Sequence, residues 1–250
     1  MRNIFLACSL LFCTAIFAQL PTNSDENSST LNSTEMVSTT LHRESKFSFG
    51  VSLSPTISWF NVTHDDLQTD GATITGGLGL LAEYDLNNIM SIASGLNFNM
   101  PGGYVFDSAS MNDITTTNNY LIKQYTLEIP LNLKFKTLPV DNLTYYTQGG
   151  LSFGYRIGSK ELHRASNAQY SDTESSFNSY SNPFLLNYQV GFGASYNTNK
   201  KYRIFGEINY KSSVASIASK DGYILSGRYT GIPVPKIISG NMLFTVGVMF

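Results

Sequence analysis

The sequence predicts an all-β fold, an eight-stranded antiparallel up-and-down transmembrane β-barrel, on three observations. Apolar and polar residues alternate with period two in eight segments between Phe47 and Phe250, the pattern of strands with one apolar face. Short turns and long connections alternate along the chain, as in a barrel whose short turns gather at one end. The last segment ends on an aromatic residue in mid-strand, where most soluble domains have a polar tail.

Composition agrees with a β-rich chain and argues against a nucleic-acid partner. Of the 250 residues, 14% are charged, against about 25% in an ordinary globular domain, and 13% are aromatic. The formal net charge is −2 and no basic run occurs. Positive patches, which nucleic-acid binding requires, are therefore not expected.

The first 18 residues predict a cleaved signal peptide. Arg2 precedes an apolar run that ends before Ala18, and this run is shorter than the ~20 residues of a membrane-spanning helix. A lipoprotein would use Cys8 or Cys13, but Phe12 is too large before Cys13, and Cys8 leaves too short an apolar run. Both cysteines lie in this segment, so we expect no disulfide or thiolate site in the exported protein.

Residues 19–45 form a polar segment rich in Ser, Thr and Asn, which we interpret as a flexible periplasmic leader. Residues 46–250 form the predicted barrel domain. Tight turns are predicted at "DLNN", "TLPVDN" and "NTNK". Long loops at the opposite end are predicted at 59–72, 101–119, 158–183 and 212–237.

The polar faces of the strands predict the barrel lumen. An eight-stranded barrel has an interior just wide enough for side chains, which suits Gly, Ser and a few paired charges. Isolated charges are costly to bury, so we expect these to form a pairing cluster that braces and plugs the barrel. Most lie near the short-turn end, with Glu128 higher and Arg156 higher still; the alternative role is to line a narrow pore. The predicted lumen charges are Glu83, Glu128, Lys134, Arg156, Arg203 and Glu207.

The apolar faces predict contact with lipid. Leu, Ile, Val, Phe and Tyr recur there on strand after strand and are too bulky for one narrow lumen. Aromatic residues with outward parity at the short-turn end predict a girdle at a membrane interface, with Phe47 at the same level on the first strand. The predicted girdle is Tyr84, Phe135, Tyr145, Tyr196, Tyr202 and Phe250.

The segment "YTLEIPLNLKFK" resembles the fourth strand of the PorT-like family of outer-membrane β-barrel proteins found in Bacteroidetes. The family pattern matches Leu127 to Leu131 followed by Lys134, and "GGLSFGYRI" and the ending "GVMF" are also similar. The resemblance covers roughly residues 46–250 and implies the barrel fold. It carries little information on function. Pro130 removes a ladder donor within this strand, so we expect a bulge or local break there.

Catalytic and metal-binding patterns are weak. Of the three histidines, His64 stands beside Asp65 and Asp66, which could supply a base and its orienting group for a lipid-modifying enzyme at the outer rim. No nucleophile motif accompanies it. Asp65, Asp66 and Asp70 lack the spacing of a calcium loop. We therefore expect no enzyme activity, no cofactor and no metal.

The sequence thus predicts an integral outer-membrane barrel, monomeric, with a filled lumen, long extracellular loops and both termini in the periplasm. The expected partners are outer-membrane lipid and, through the loops, envelope or secretion-complex proteins. The expected function is structural or interactive in the cell envelope; a rim enzyme at His64 and a narrow pore are the alternatives.

Overall fold

A computed structural model describes residues 46–63, 67–111, 114–165, 173–175, 182–198, 202–217 and 236–250. The predicted signal peptide and leader lie outside these ranges. Within them, no helix is long and apolar enough to cross a membrane. The described strands are β1 (Phe47–Leu53), β2 (Thr56–Thr63), β3 (Leu67–Thr75), β4 (Gly77–Asn87), β5 (Met90–Asn99), β6 (Gly102–Met111), β7 (Ile114–Lys136), β8 (Leu143–Ala165), β9 (Thr173–Ser175), β10 (Phe184–Thr198), β11 (Tyr202–Ser213) and β12 (Lys236–Met249).

The strands pair into a closed ring. β12 pairs with β11 on one side and with both β1 and β2 on the other. In order around the ring come β1/β2, β3/β4, β5/β6, β7, β8, β10, β11 and β12, which makes eight positions. β9 adds to β8 outside the ring. Every pairing is antiparallel, so the predicted all-β antiparallel class is confirmed.

At three neighbouring positions of the ring, one strand ends and the next begins, and the three breaks lie at the same height along the barrel axis. The breaks fall at Pro55, Gly76 and Pro101, on neighbouring positions. Backbone hydrogen bonds still cross this level: Ser54 and Gly77 exchange N–H···O bonds of 2.9 and 3.0 Å, and the N–H of Met100 donates to Gly76 O at 3.1 Å. Proline has no N–H to donate, so the ladder is interrupted there although the chain continues in the same direction.

The side chains divide between the two faces of the wall as the alternation predicts. On β1, Ser52 is 9% exposed and the neighbouring Leu53 is 51% exposed. Polar side chains therefore fill the inside, and large apolar side chains cover the outside. This inversion of the usual soluble pattern is what a barrel in lipid requires.

The structure corrects the predicted lengths of three connections, 59–72, 101–119 and 158–183. β2 and β3 leave only residues 64–66 between them, β6 and β7 leave only 112–113, and β8 continues to Ala165. Beyond the apolar band, the outward side chains of the strands no longer have to be apolar. The alternation of apolar and polar residues in the sequence therefore becomes weaker. The backbone N–H and C=O groups still pair, and the strands continue. The fourth connection, 212–237, agrees with the ends of β11 and β12.

The inside is apolar at the long-loop end, which the alternation did not predict. Five side chains there, none more than 2% exposed, form the apolar plug: Phe60, Val105, Ile122, Ile217 and Ile237. Ile217 follows β11 and its N–H donates to Ile237 O at 2.9 Å. The plug therefore fills the inside of the barrel at this end, as a hydrophobic core fills the inside of a soluble protein.

Pro130 interrupts the wall without shifting its register. The β5–β7 pairs run from Met90↔Phe135 to Ser94↔Leu131, lapse opposite Pro130, and resume in the same register at Asn97↔Glu128. The Ser94 hydroxyl donates to Pro130 O at 2.8 Å and satisfies that carbonyl. The structure thus has the expected local break and no bulge at this position.

Replacing Val190 by Arg tests which face meets lipid. Val190 faces outward on β10, midway between Phe184 and Tyr196, so we expect a loss of about 2–4 kcal/mol in the free energy of unfolding, the cost of Arg near a bilayer midplane. Reversible unfolding in lipid vesicles measures this. The adjacent lumen change Gln189→Ser is the control and should cost far less; equal losses would mean that the faces are wrongly assigned.

Candidate functional site: the charged layers of the lumen

Glu83 is the centre of a charged layer near the short turns, which we call the lower layer. Its carboxylate is 3.3 Å from Lys134 Nζ and 3.2 Å from an Arg203 guanidinium nitrogen, and Lys136 Nζ also contacts it. The Ser91 hydroxyl donates to it at 3.1 Å. Glu83 is 3% exposed, so its charge is stabilised by three cations and not by water.

Glu207 completes the lower layer on the β11 side. Its carboxylate accepts hydrogen bonds from Tyr146 Oη and from the Asn209 amide, both at 2.8 Å, and lies 4.0 Å from Lys134 Nζ. The Lys134 ammonium stands 4.5 Å from the centre of the Tyr146 ring, a cation–π contact. Tyr146 thus fills the lumen and also orients the anion.

Charge in the lower layer balances. Lys136 Nζ also contacts Asp85 at 2.5 Å, so three cations face three carboxylates. The strands explain the arrangement, because Glu83 and Asp85 are successive inward residues of β4, as Lys134 and Lys136 are of β7. Between those strands lies β5, whose small inward residues Ser91 and Ala93 leave space for the long lysine side chains.

A second site, the upper layer, is built on Glu128 of β7. Lys211 Nζ lies 3.0 and 2.9 Å from its two carboxylate oxygens. Hydroxyls of Thr126 and Ser152 donate to it at 3.0 and 3.1 Å, and the Asn187 amide donates at 3.4 Å. Glu128 and Lys211 are 2% and 4% exposed, so this is a buried, fully hydrogen-bonded ion pair.

The structure divides the predicted lumen charges into three groups. Glu83, Lys134, Arg203 and Glu207 lie together in the lower layer. Glu128 lies apart from them in the upper layer. Arg156 lies higher still on β8, where its guanidinium donates to Asn182 O at 2.7 Å, in the segment before β10.

Sequence analysis missed four members of the two layers. Lys136 and Asp85 share the inward parity of Lys134 and Glu83, so parity alone would have included them. Lys211 also has inward parity, as the last residue before the predicted loop 212–237. Tyr146 shares the inward parity of Gln148 on the same strand. Inward parity on the predicted strands was therefore a sufficient signal for all four.

Glycine makes room for the large polar side chains of the lumen. A β-carbon at Gly150 would collide with the Asn132 side chain and the Leu131 carbonyl, and other glycines are equally close to the residue opposite. The asparagine–glycine pairs across the ladder are Asn97–Gly79, Asn99–Gly77, Asn132–Gly150 and Asn209–Gly191. Each carboxamide lies where a β-carbon would otherwise stand, so packing in the narrow lumen depends on these pairs.

The predicted aromatic girdle lies on the outer wall at the short-turn end. Phe135, Tyr145, Tyr196, Tyr202 and Phe250 are between 45% and 67% exposed. Tyr84 packs against Phe47, with 4.7 Å between the ring centres and the rings tilted by 48°. All six predicted residues keep the outward parity of their strands.

A second outward aromatic belt, the upper girdle, lies toward the long loops and was not predicted. Its rings make contacts at 5.5–6.3 Å between centres, and its members are Trp59, Phe98, Tyr125, Tyr155, Phe184, Tyr188 and Tyr210. Tyr145 and Tyr155 on β8 are ten residues apart, about 33 Å along a strand and about 25 Å after a usual tilt. That distance is the height of the apolar band of an outer-membrane barrel.

The possible rim site at His64 lies outside the described residues, as do Asp65 and Asp66. Asp70 is exposed on β3. Among the side chains that the structure describes, no group of His, Cys, Asp and Glu could hold a metal ion.

A family model decides which kind of barrel this is. The model "Outer membrane protein beta-barrel domain" matches residues 17–219, most of the chain. The chain belongs to this outer-membrane β-barrel family. It is therefore an integral outer-membrane protein.

Solved structures similar to this outer-membrane barrel are distant in sequence. Neisserial surface protein A is 12% identical over 82% of this chain and 96% of its own, with a TM-score of 0.42. OprG from Pseudomonas aeruginosa is 12% identical over 81% and 95%, also at 0.42. Ail of Yersinia pestis, solved with the heparin analogue sucrose octasulfate, is 13% identical over 82% and 100%, at 0.36. No curated protein matches the chain.

Removing Lys211 tests the upper layer. Lys211→Met leaves the Glu128 carboxylate buried without its cation, so we expect a loss of about 3–5 kcal/mol in the free energy of unfolding. Unfolding in lipid vesicles measures it. The double variant Glu128→Gln with Lys211→Met should recover most of the loss, because no charge remains to be paired. A single-variant loss of only about 0–1 kcal/mol, typical of exposed pairs, would contradict a buried pair.

Adding a methyl group at glycine tests the asparagine–glycine packing. Gly150→Ala should destabilise the barrel by about 1–3 kcal/mol, because the new β-carbon overlaps the Leu131 carbonyl and the Asn132 side chain. Gly206→Ala on the outer wall is the matched control. Nothing lies within 4 Å of a β-carbon there, so its effect should stay within about 0.5 kcal/mol. Similar losses at both sites, measured by unfolding in vesicles, would contradict the packing.

Proposed function

We propose that this outer-membrane barrel is a sealed, non-enzymatic scaffold that acts through the strands and loops at its long-loop end. In this proposal it contacts other envelope or secretion-complex proteins there, as a monomer of the PorT-like type. The observation that carries the proposal is the closure of the lumen by the lower layer, the upper layer and the apolar plug. Transport through the barrel would have to break buried ion pairs at two levels, which is costly.

The length of the wall beyond the lipid band supports a role outside the membrane. β7 and β8 have 23 residues each, and the stretch between the two girdles takes about ten. At the long-loop end, β3, β6, β7, β8 and β9 continue as a paired sheet beyond the upper girdle. Paired strands position a binding surface better than a free loop, since less conformational entropy is lost on binding.

We further propose that the short turns and both termini face the periplasm. Supporting this, Phe49 exchanges backbone hydrogen bonds with Phe250, so the start of β1 and the end of β12 lie together at the short-turn end. An epitope inserted beside Asp141, whose φ of 56° marks a tight turn, tests the orientation. Antibody should reach it only after the outer membrane is permeabilised, and an epitope replacing residues 112–113 should be reached in intact cells. The reverse pattern would overturn the orientation.

Electrical recording tests the closure. The purified protein in planar bilayers should give no channel current, whereas steady currents would favour the narrow pore. A variant with Glu83, Lys134, Arg203, Glu128 and Lys211 changed to Ser, and with the plug residues Phe60, Ile122 and Ile237 changed to Ala, is the positive control for the assay because it loses all three closures. If that variant folds, as judged by altered migration of unboiled samples on SDS gels, it should conduct.

Lipid analysis tests the absence of enzyme activity. We expect the same lipid A species in cells with and without the protein, because the proposed role involves no chemistry. A change in lipid A that is lost in a His64→Ala variant would instead support the rim enzyme.

A further inference from the structure

Two lysines lie opposite each other on the outer wall, just above the upper girdle. Lys123 of β7 and Lys160 of β8 are direct partners in the ladder, and both are exposed. The adjacent Gln124 and Ser159 are buried, so the two lysines point away from the lumen. The β-carbons of directly opposed residues are about 4.5–5.5 Å apart, so like charges at such positions destabilise the strand pair.

An anion between the two ammonium groups would offset this repulsion. Lys123 makes no ion pair with any residue that the structure describes. Lys160 has a further interaction within the chain, but an ammonium has three donors and can bond to a second acceptor. A phosphate group has several oxygens that accept charge-assisted hydrogen bonds, so one phosphate can bond to both lysines.

Glycines leave space beside and below the two lysines. On β6 the residue opposite Lys123 is Gly102, and on β8 the residue opposite Tyr125 is Gly158. A β-carbon at Gly158 would lie 3.9 Å from the Tyr125 ring, so no side chain at that position covers the ring. Ile157, which precedes Gly158 at a register shift in the ladder, is 53% exposed. The two lysines, Tyr125 and Ile157 thus surround a shallow depression, which we call the lysine recess.

The height of the lysine recess selects the ligand. Aromatic side chains of a girdle lie at the level of the lipid headgroups, and Lys123 is two residues beyond Tyr125, about 7 Å along the strand. A lysine side chain can lay its apolar stem along the wall and hold its charge among the headgroups. The anion available at this height is a headgroup phosphate. The Tyr125 ring below offers an apolar face to a sugar ring, which favours a phosphate carried on a sugar.

We propose that the lysine recess binds the phosphorylated sugar headgroup of an outer-leaflet glycolipid, with one phosphate shared by Lys123 and Lys160 and the sugar against Tyr125. Lipid A has this chemistry. The inference rests on the proposed orientation, because only that orientation puts the long-loop end in the outer leaflet. It adds a specific lipid site on the outside of β7 and β8, the two strands that continue furthest beyond the upper girdle. A lipid held there would fix the height of these strands in the membrane.

Native mass spectrometry of the protein released from nanodiscs of phosphatidylcholine and lipid A tests the site. The unaltered protein should retain lipid A, and it should not retain lipid A from which the phosphates have been removed. Lys123→Gln and Lys160→Gln should each weaken binding about fivefold, the usual contribution of one basic residue near an anionic surface. Lys236→Gln is the matched control. Lys236 is exposed at the same end, on β12, but Thr63 stands opposite it, so this change should leave retention unaltered.

Three results would overturn the lipid site. Equal losses in the Lys123 and Lys236 variants would show only a general attraction to anionic lipid. Equal retention of dephosphorylated lipid A or of phosphatidylglycerol would remove the phosphorylated sugar as the ligand. Binding of soluble glucosamine phosphate as tight as that of lipid A would make the ligand a free phosphate ester.

The outcome can be separated from that of the proposed orientation. Binding in nanodiscs does not depend on which way the protein is inserted in cells. Loss of lipid A binding with the expected epitope pattern would overturn the lysine recess alone. Binding of lipid A with the reverse epitope pattern would place the recess in the inner leaflet, away from lipid A, and would also overturn the proposal.

Discussion

The narrow lumen of a small closed ring is the constraint on which the rest of this structure depends. In lipid every backbone N–H and C=O must be paired within the wall, so the strands have to close on themselves. Closing at eight positions leaves space only for side chains. Each inward residue must therefore be small, lie over a glycine, or find a partner for its polar atoms. The asparagine–glycine pairs and the two charged layers both meet that requirement.

Glu128 gives a physical meaning to the sequence motif that resembles the PorT-like family. In "LEIPL" the outward Leu127, Ile129 and Leu131 meet lipid, while Glu128 accepts bonds from Lys211 and three neutral neighbours. Pro130 breaks the ladder to β5, and Ser94 satisfies the carbonyl that the break exposes. Each residue of the motif thus acts in building the wall or filling the lumen. This explains why such a motif identifies a fold and carries little information on function.

The interior is layered along the barrel axis. A balanced ionic cluster lies at the short turns, a small cavity lined mostly by polar side chains follows, and a buried ion pair and an apolar plug fill the rest. Only the apolar plug resembles the core of a soluble protein, and it lies in the part of the wall that continues beyond the upper girdle. Since side chains fill the lumen, our proposal assigns the contacts of this protein to the part of the wall beyond the upper girdle.

The sequence by itself determined the class of fold, the two faces of the wall and the short-turn ends of the strands. The alternation with period two can be recognised within a single strand. It is strict over the apolar band because the outward side chains there face lipid. The same logic failed toward the long-loop end, so β6, most of β3 and the long-loop ends of β2, β7 and β8 were taken for loops. Only the tertiary structure decided which inward charges meet. Glu83 and Lys134 are on strands separated by β5, and Glu128 is bound by Lys211, which is 83 residues away in sequence. Pairing across the lumen depends on the stagger and closure of the whole ring, which no single strand encodes.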